Sequence, residues 1–107
     1  MAVLTITQDN HTAEVEESKK PVLLDVYAPW CGPCQLMVPI LDELDAELGD
    51  KYKFGKINVD ESRELAIKYS ISSIPALIFI KNNQVQAKET GYVSKDDLKE
   101  KLQKYFG

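Results

Sequence analysis

Cys31 and Cys34 are the only cysteines in the chain, and Gly32 and Pro33 separate them. At the start of a helix, positions i and i+3 share one face with about 5–6 Å between Cβ atoms, close to the span a disulfide bridges. A pair placed in this way can open and close without unfolding its surroundings. Two chemistries use such a pair: a redox dithiol, or half of a metal site. A cysteine reacts as its thiolate, and Cys31 falls where a strand-to-helix turn ends. Unpaired backbone N–H groups and the positive end of the helix dipole favour the anion there. Pro33 suits a first helical turn, where a missing N–H is harmless, and Gly32 leaves room for a second backbone to approach. Cys34, one turn further in, is expected to be more shielded and less acidic. The asymmetry assigns Cys31 to attack a substrate disulfide and Cys34 to resolve the mixed disulfide, an exchange that needs no bound cofactor.

Ligand counting weighs against the metal. A closed structural zinc site takes four ligands. The chain offers two cysteines and one histidine, His11, on a distant segment, and His11 reads as a packing residue. Asp25 is the next anomaly, the one charge in the apolar run from Val22 to Tyr27. A buried carboxylate is costly unless paired, and its pKa rises. Such an acid can take the proton from Cys34 during resolution; the plainer alternative is a strand-end aspartate that reaches water. Lys56 shares a strand face with Tyr52 and Phe54 by period-2 alternation and can bring its ammonium toward Asp25, or simply snorkel at the surface. Ile74-Pro75 is a candidate cis peptide, which would aim the Ile74 backbone outward to pair with an extended substrate strand.

These residues need elements to position them. Residues 2–7 read as a β-rich first strand, and 9–18 as a weakly periodic helix. Residues 21–28 are an almost unbroken apolar run, the mark of a strand buried on both faces. Met37, Leu41, Leu44 and Leu48 give a helix over 34–49, which Pro39 should bend. Residues 52–59 read as a third strand, with Asp60 as cap of a helix through Tyr69. A second buried run covers 74–80, and Asn82-Asn83 marks a hairpin into a strand over 84–90. Ser94 and Asp97 resemble a capping box before a final helix with Leu98, Leu102 and Phe106 on its apolar face. The order βαβαβαββα predicts an α/β fold, a mixed five-stranded sheet with helices on both faces.

With 107 residues and 44% apolar content, one domain spanning 1–107 with its own core is expected, so no disulfide staple is required. Thirteen basic against 17 acidic residues leave a net charge of −4. The basic residues are scattered, which argues against nucleic acid or an anionic membrane as the main partner. The amino end lacks the pattern of a secretory signal, and no stretch approaches the roughly 20 apolar residues of a membrane span. A cytoplasmic setting is expected, where a CxxC pair is catalytic or metal-binding rather than structural.

The segment Trp30-Cys31-Gly32-Pro33-Cys34 is similar to the active site of the thioredoxin family. Asp25, Pro39, residues 56–60, Ile74-Pro75 and Gly91 resemble that family's landmarks at its spacing along the whole chain. The resemblance implies the thioredoxin fold and a protein-disulfide reductase, monomeric and cytoplasmic. Cys31 would be the nucleophile, Cys34 the resolving thiol, Asp25 the proton acceptor, Lys56 its partner and Pro75 a cis-proline. Trp30, Val59, Ile74, Pro75, Gly91 and Tyr92 would border a shallow groove for substrate. Electrons would come from NADPH through a flavoprotein thioredoxin reductase. Targets would include ribonucleotide reductase, peroxiredoxins and methionine sulfoxide reductases. Tyr27 stands where the family often has tryptophan, and Ser73 where it often has glycine. Tyr92 replaces a small residue, Asn83 a hairpin glycine, and His11 an aromatic. Two other functions compete: a disulfide oxidase or isomerase on the same fold, which Gly32-Pro33 argues against, and a redox-independent subunit of a larger assembly.

Overall fold

The two apolar runs become neighbouring strands at the centre of one sheet. A computed structural model describes residues 3–107. Its strands are β1 (Leu4–Thr5), β2 (Val22–Tyr27), β3 (Lys53–Asn58), β4 (Ala76–Lys81) and β5 (Gln84–Thr90). Their spatial order is β1-β3-β2-β4-β5. β1 and β2 run parallel to β3, whereas β4 is antiparallel to β2 and to β5. The sheet is therefore mixed and five-stranded, as the thioredoxin fold requires. Three α-helices, α1 (Gly32–Leu48), α2 (Arg63–Lys68) and α3 (Lys95–Phe106), and one π-helical segment, Thr12–Glu16, complete the chain.

Alternation along the strands divides the core into two layers. Leu23, Phe54, Leu77 and Phe79 face α1 and α3, meeting Met37, Leu41, Leu44, Leu98, Leu102 and Phe106. Val22, Leu24, Val26, Ile57, Ile78 and Ile80 face the opposite side, against Val15, Leu65 and Tyr69. Asp25 has the parity of Leu23, so its carboxyl joins the α1 side of the sheet. Gly55 is required where β1 approaches β3 and β2: a Cβ there would lie 2.8 Å from Ile6 Cγ1 and 3.0 Å from Leu24 Cδ2.

Several boundaries differ from the sequence reading. The first strand is only Leu4–Thr5, and Ala2, its expected start, lies outside the described residues. The Asn10 carboxamide accepts from Thr7 N–H at 2.8 Å, turning the chain early. The expected helix over 9–18 is a π-helical turn, with Glu17 N–H donating to Thr12 C=O at 2.9 Å. α1 begins at Gly32 rather than 34, because Cys31 itself is its N-cap. Asp60 does not cap α2; that position belongs to Ser62, and α2 is short. Asn82 and Asn83 take φ of +54° and +58°, the left-handed pair a two-residue hairpin turn needs. Ser94 caps α3, its hydroxyl accepting from Asp97 N–H at 3.3 Å. Among the described residues, no helix is long and apolar enough to cross a membrane.

Candidate active site

Cys31 is extended (φ −86°, ψ 114°) and closes the loop that leaves β2, its N–H donating to Ala28 C=O at 3.1 Å. Its Sγ accepts from Cys34 N–H at 3.3 Å, the place an N-cap oxygen ordinarily fills. A negative sulfur is favoured at that point by the free N–H groups and the dipole of a 17-residue helix. Pro33 stands in the first turn of α1, as its missing donor permits. Cys31 and Cys34 are joined in a disulfide, with Cα atoms 5.3 Å apart. Cys31 is 6% exposed and Cys34 1%, so only the first sulfur has a face toward a partner. Gly32 has no heavy atom within 4 Å of where a Cβ would sit, which leaves its surface open.

The rim gathers from four parts of the chain. Ala28, Cys31 and Cys34 pack together, with Tyr27, Val59 and Ile74 against them. The Ile74–Pro75 peptide is cis. Gly91, at φ +93°, donates its N–H to Pro75 C=O at 2.8 Å, holding the end of β5 to this turn. Tyr92 follows, half exposed. Trp30 is 72% exposed, yet its indole N–H donates to Asp60 Oδ2 at 3.0 Å. Asn58 fixes that aspartate, its Oδ1 accepting from Asp60 N–H at 2.9 Å. Ser73 is exposed in the loop before Ile74.

On the α1 side of the sheet, Asp25 is 4% exposed and its Oδ1 has no hydrogen-bond partner among the described residues. Burial pushes its pKa from 3.8 up to about 7, with the Lys56 ammonium pulling the other way. Lys56 is its register neighbour on β3 and is half-buried. A cavity of about 210 Å³ opens onto both, walled by Val3, Tyr27, Val38 and Leu41 with Gln35 and Asp42. Burial, then the charges of Glu61 and Asp25, push the Tyr27 hydroxyl up, and Asn58 opposes them. His11 lies elsewhere, buried against Tyr69 with its Nε2 hydrogen-bonded to the phenol. Among the described residues, no three His, Cys, Asp or Glu side chains gather as metal ligands.

The sequence reading missed Asp60 as the anchor of Trp30. The Asn58-Val59-Asp60 pattern carried the signal: an asparagine whose side-chain oxygen accepts from the backbone N–H two residues on favours a side-chain-locked turn, with the aspartate presented at its end. It also missed the cavity, since Val3, Val38 and Asp42 come from distant segments and carry no motif.

An arrangement of one accessible sulfur, one shielded sulfur and a buried acid poised near neutrality can exchange disulfides. Comparison with known sequences agrees. The thioredoxin family model matches residues 2–104. The chain is similar to "Thioredoxin" of Bacillus subtilis, 44% identical over 106 residues that cover 99% of this chain and 100% of the relative. It is similar to "Thioredoxin" of Haemophilus influenzae, 43% identical over 96 residues, covering 90% of each chain. "Thioredoxin 1" of Nostoc is 38% identical over 105 residues, covering 98% of each. Matched nearly end to end by the family model and by these relatives, the chain belongs to the thioredoxin family.

Proposed function

We propose that this protein is a general protein-disulfide reductase that works as a single domain and a monomer through Cys31 and Cys34. The observation that carries the reading is the Cys31–Cys34 disulfide across the first turn of α1, with the accessible sulfur at the N-cap. In the reduced protein the Cys31 thiolate attacks one sulfur of a target disulfide. A mixed disulfide forms and the target's other sulfur leaves as a thiolate. Cys34 then loses its proton to the Asp25 carboxylate and attacks Cys31 Sγ; the target's second sulfur leaves as a thiolate that takes up the Asp25 proton, and solvent protonates the first. The target gains two electrons and two protons, and Cys31–Cys34 ends oxidised.

Lys56 would stabilise Asp25 each time that group is charged, and so tune when it accepts a proton. Trp30, Val59, Ile74, Pro75, Gly91 and Tyr92 would line the face on which the target strand lies. The backbone of Ile74 would pair with that strand, as in other strand-addition interfaces, and Gly32 and Pro33 would let it approach. Electrons would return from NADPH through a flavoprotein thioredoxin reductase. Ribonucleotide reductases, peroxiredoxins and methionine sulfoxide reductases are the target classes this reading gives, in the cytoplasm.

The test is reduction of insulin disulfides with dithiothreitol as electron source. The protein should accelerate it and Cys31→Ser should abolish the acceleration; undiminished activity in that variant overturns the assignment. Cys34→Ser should accumulate covalent mixed disulfides with target proteins, and their absence would reverse the division of labour between the sulfurs.

A further inference from the structure

A lone exposed isoleucine is ordinary protein surface. Ile67, 72% exposed on α2, is not alone. It shares a hollow of about 490 Å³ with Val59, Ala66 and Ile71, and Asp60 and Arg63 form the polar edge. Val59 also packs against Cys31 and Cys34, so the hollow starts where the rim of the dithiol stops. Ile71 and Ile74 pack with Val59 against one core layer, which carries an apolar floor from the turn before β4 toward α2.

Backbone geometry fixes both sides of this hollow. α2 ends in a left-handed residue, Ser70 at φ +56°. Ser70 N–H donates to Ile67 C=O at 3.0 Å and Ile71 N–H to Ala66 C=O at 2.9 Å, the paired bonds of a Schellman closure that folds Ile71 back toward Ala66. On the other side the Asn58 turn presents Asp60, whose carboxylate already accepts from the Trp30 indole. Arg63 makes no ion pair among the described residues, which leaves its guanidinium free for main-chain carbonyls. Glu61 and Glu64 neighbour Arg63 in sequence. The edge therefore has no surplus of positive charge for an acidic side chain, and selection there is apolar. Aliphatic groups beside one planar donor suit an extended peptide, which offers side chains and carbonyl oxygens together.

We propose that Ile67 is a specificity-determining residue, receiving a large aliphatic side chain two residues from the target cysteine that Cys31 attacks. In an extended strand, side chains two apart share a face and stand about 6–7 Å from each other. A target cysteine aimed at Cys31 thus aims the residues two before and two after it at the same surface, and one of them falls on the Val59 side. Protein disulfides are then selected by the sequence around them. The inference rests on a target strand lying over the dithiol as proposed above; a small disulfide needs no such strand.

The test uses peptides with one cysteine held in a disulfide with thionitrobenzoate. Reduced Cys31 attacks the peptide sulfur, the S–S bond breaks, and thionitrobenzoate leaves as a coloured thiolate that gives the second-order rate constant in stopped flow. Leucine two residues from the cysteine should raise that constant about tenfold over alanine on one of the two sides, the low end of what added methylenes are worth in an apolar site. Ile67→Glu should bring the leucine-to-alanine ratio to about one, and Ile67→Ala to about three. Bis(2-hydroxyethyl) disulfide, which carries no peptide, should consume the thiols of both variants as fast as those of the natural protein. Equal rates for leucine and alanine peptides in the natural protein, or a preference that survives Ile67→Glu, overturn the site. A natural protein that sediments as a dimer and becomes monomeric in Ile67→Glu, with the peptide ratio unaltered, gives this face to a second copy and overturns it too. If even the small disulfide is not exchanged through Cys31, the reductase reading itself falls. Exchange of the small disulfide with no leucine preference leaves that reading standing and removes only the role of Ile67.

Discussion

A carboxyl that is buried and short of partners has opposite effects on folding and on chemistry. Asp25 titrates at about 7 in the fold against 3.8 ordinarily, so between those values the folded chain holds a proton that the unfolded chain has lost. Stability is therefore unpenalised below pH 3.8, declines as pH rises through that window, and above 7 bears a penalty of about 4 kcal/mol. Asp25→Asn should remove it: urea denaturation should show the variant more stable than the natural protein at pH 8, with the difference shrinking toward pH 4. The same substitution should slow mixed-disulfide resolution at pH 7 by about tenfold or more, because it removes the proton acceptor proposed above. Stopped-flow measurement across pH should show the natural protein's rise near 7 flattened in the variant. A variant that follows the natural profile would remove Asp25 from the mechanism. Asp25 was legible in the sequence as the one charge in an apolar run. Its environment was not, because Val3, Val38 and Asp42 reach it only through the fold.

At the scale of elements, caps and short contacts decide where segments begin and how they dock. Ser94 was legible as the start of α3, since a serine three residues ahead of an acidic position is a local pattern. Ser94→Ala should cost about 1 kcal/mol in chemical denaturation. The cap of α2 was misread: Asp60 was expected there, but its carboxylate accepts from the Trp30 indole and Ser62 holds the N-cap position. No local rule couples residues 30 apart in the chain. The π-helical segment depends on another distant contact, His11 to Tyr69 at the end of α2. Burial holds the His11 pKa below its ordinary 6.5, with Glu16 raising it and Lys68 lowering it. The unfolded chain thus takes up a proton there before the folded one does. Stability from this contact is full above pH 6.5 and is lost as pH falls through the folded value. His11→Phe should flatten the part of the stability profile below pH 6.5; an unaltered acid limb would show that the contact carries no pH dependence.

For the whole molecule, the nearly unbroken apolar runs of β2 and β4 were enough to foresee a sheet covered on both faces, because residues of both parities then feed two separate layers. The succession of elements along the chain and the dithiol at a helix start were legible too, whereas the spatial order of the strands emerged only from the fold. The rim residues Trp30, Val59, Ile74, Pro75, Gly91 and Tyr92 came from the family resemblance and not from periodicity, because the rim is assembled from the ends of β2, β3 and β5 and the turn before β4. One feature of that rim turns the protein into its own optical instrument. Trp30 is the sole tryptophan, and it directly precedes the disulfide's Cys31 with its indole tethered to Asp60. A disulfide quenches a nearby indole by accepting its excited electron, and a thiol pair does so far less. Emission above 295 nm excitation should therefore come from one reporter and brighten several-fold on reduction. Asp60→Ala should loosen the ring and blur that contrast, so each turn of the catalytic cycle can be followed by light without a label.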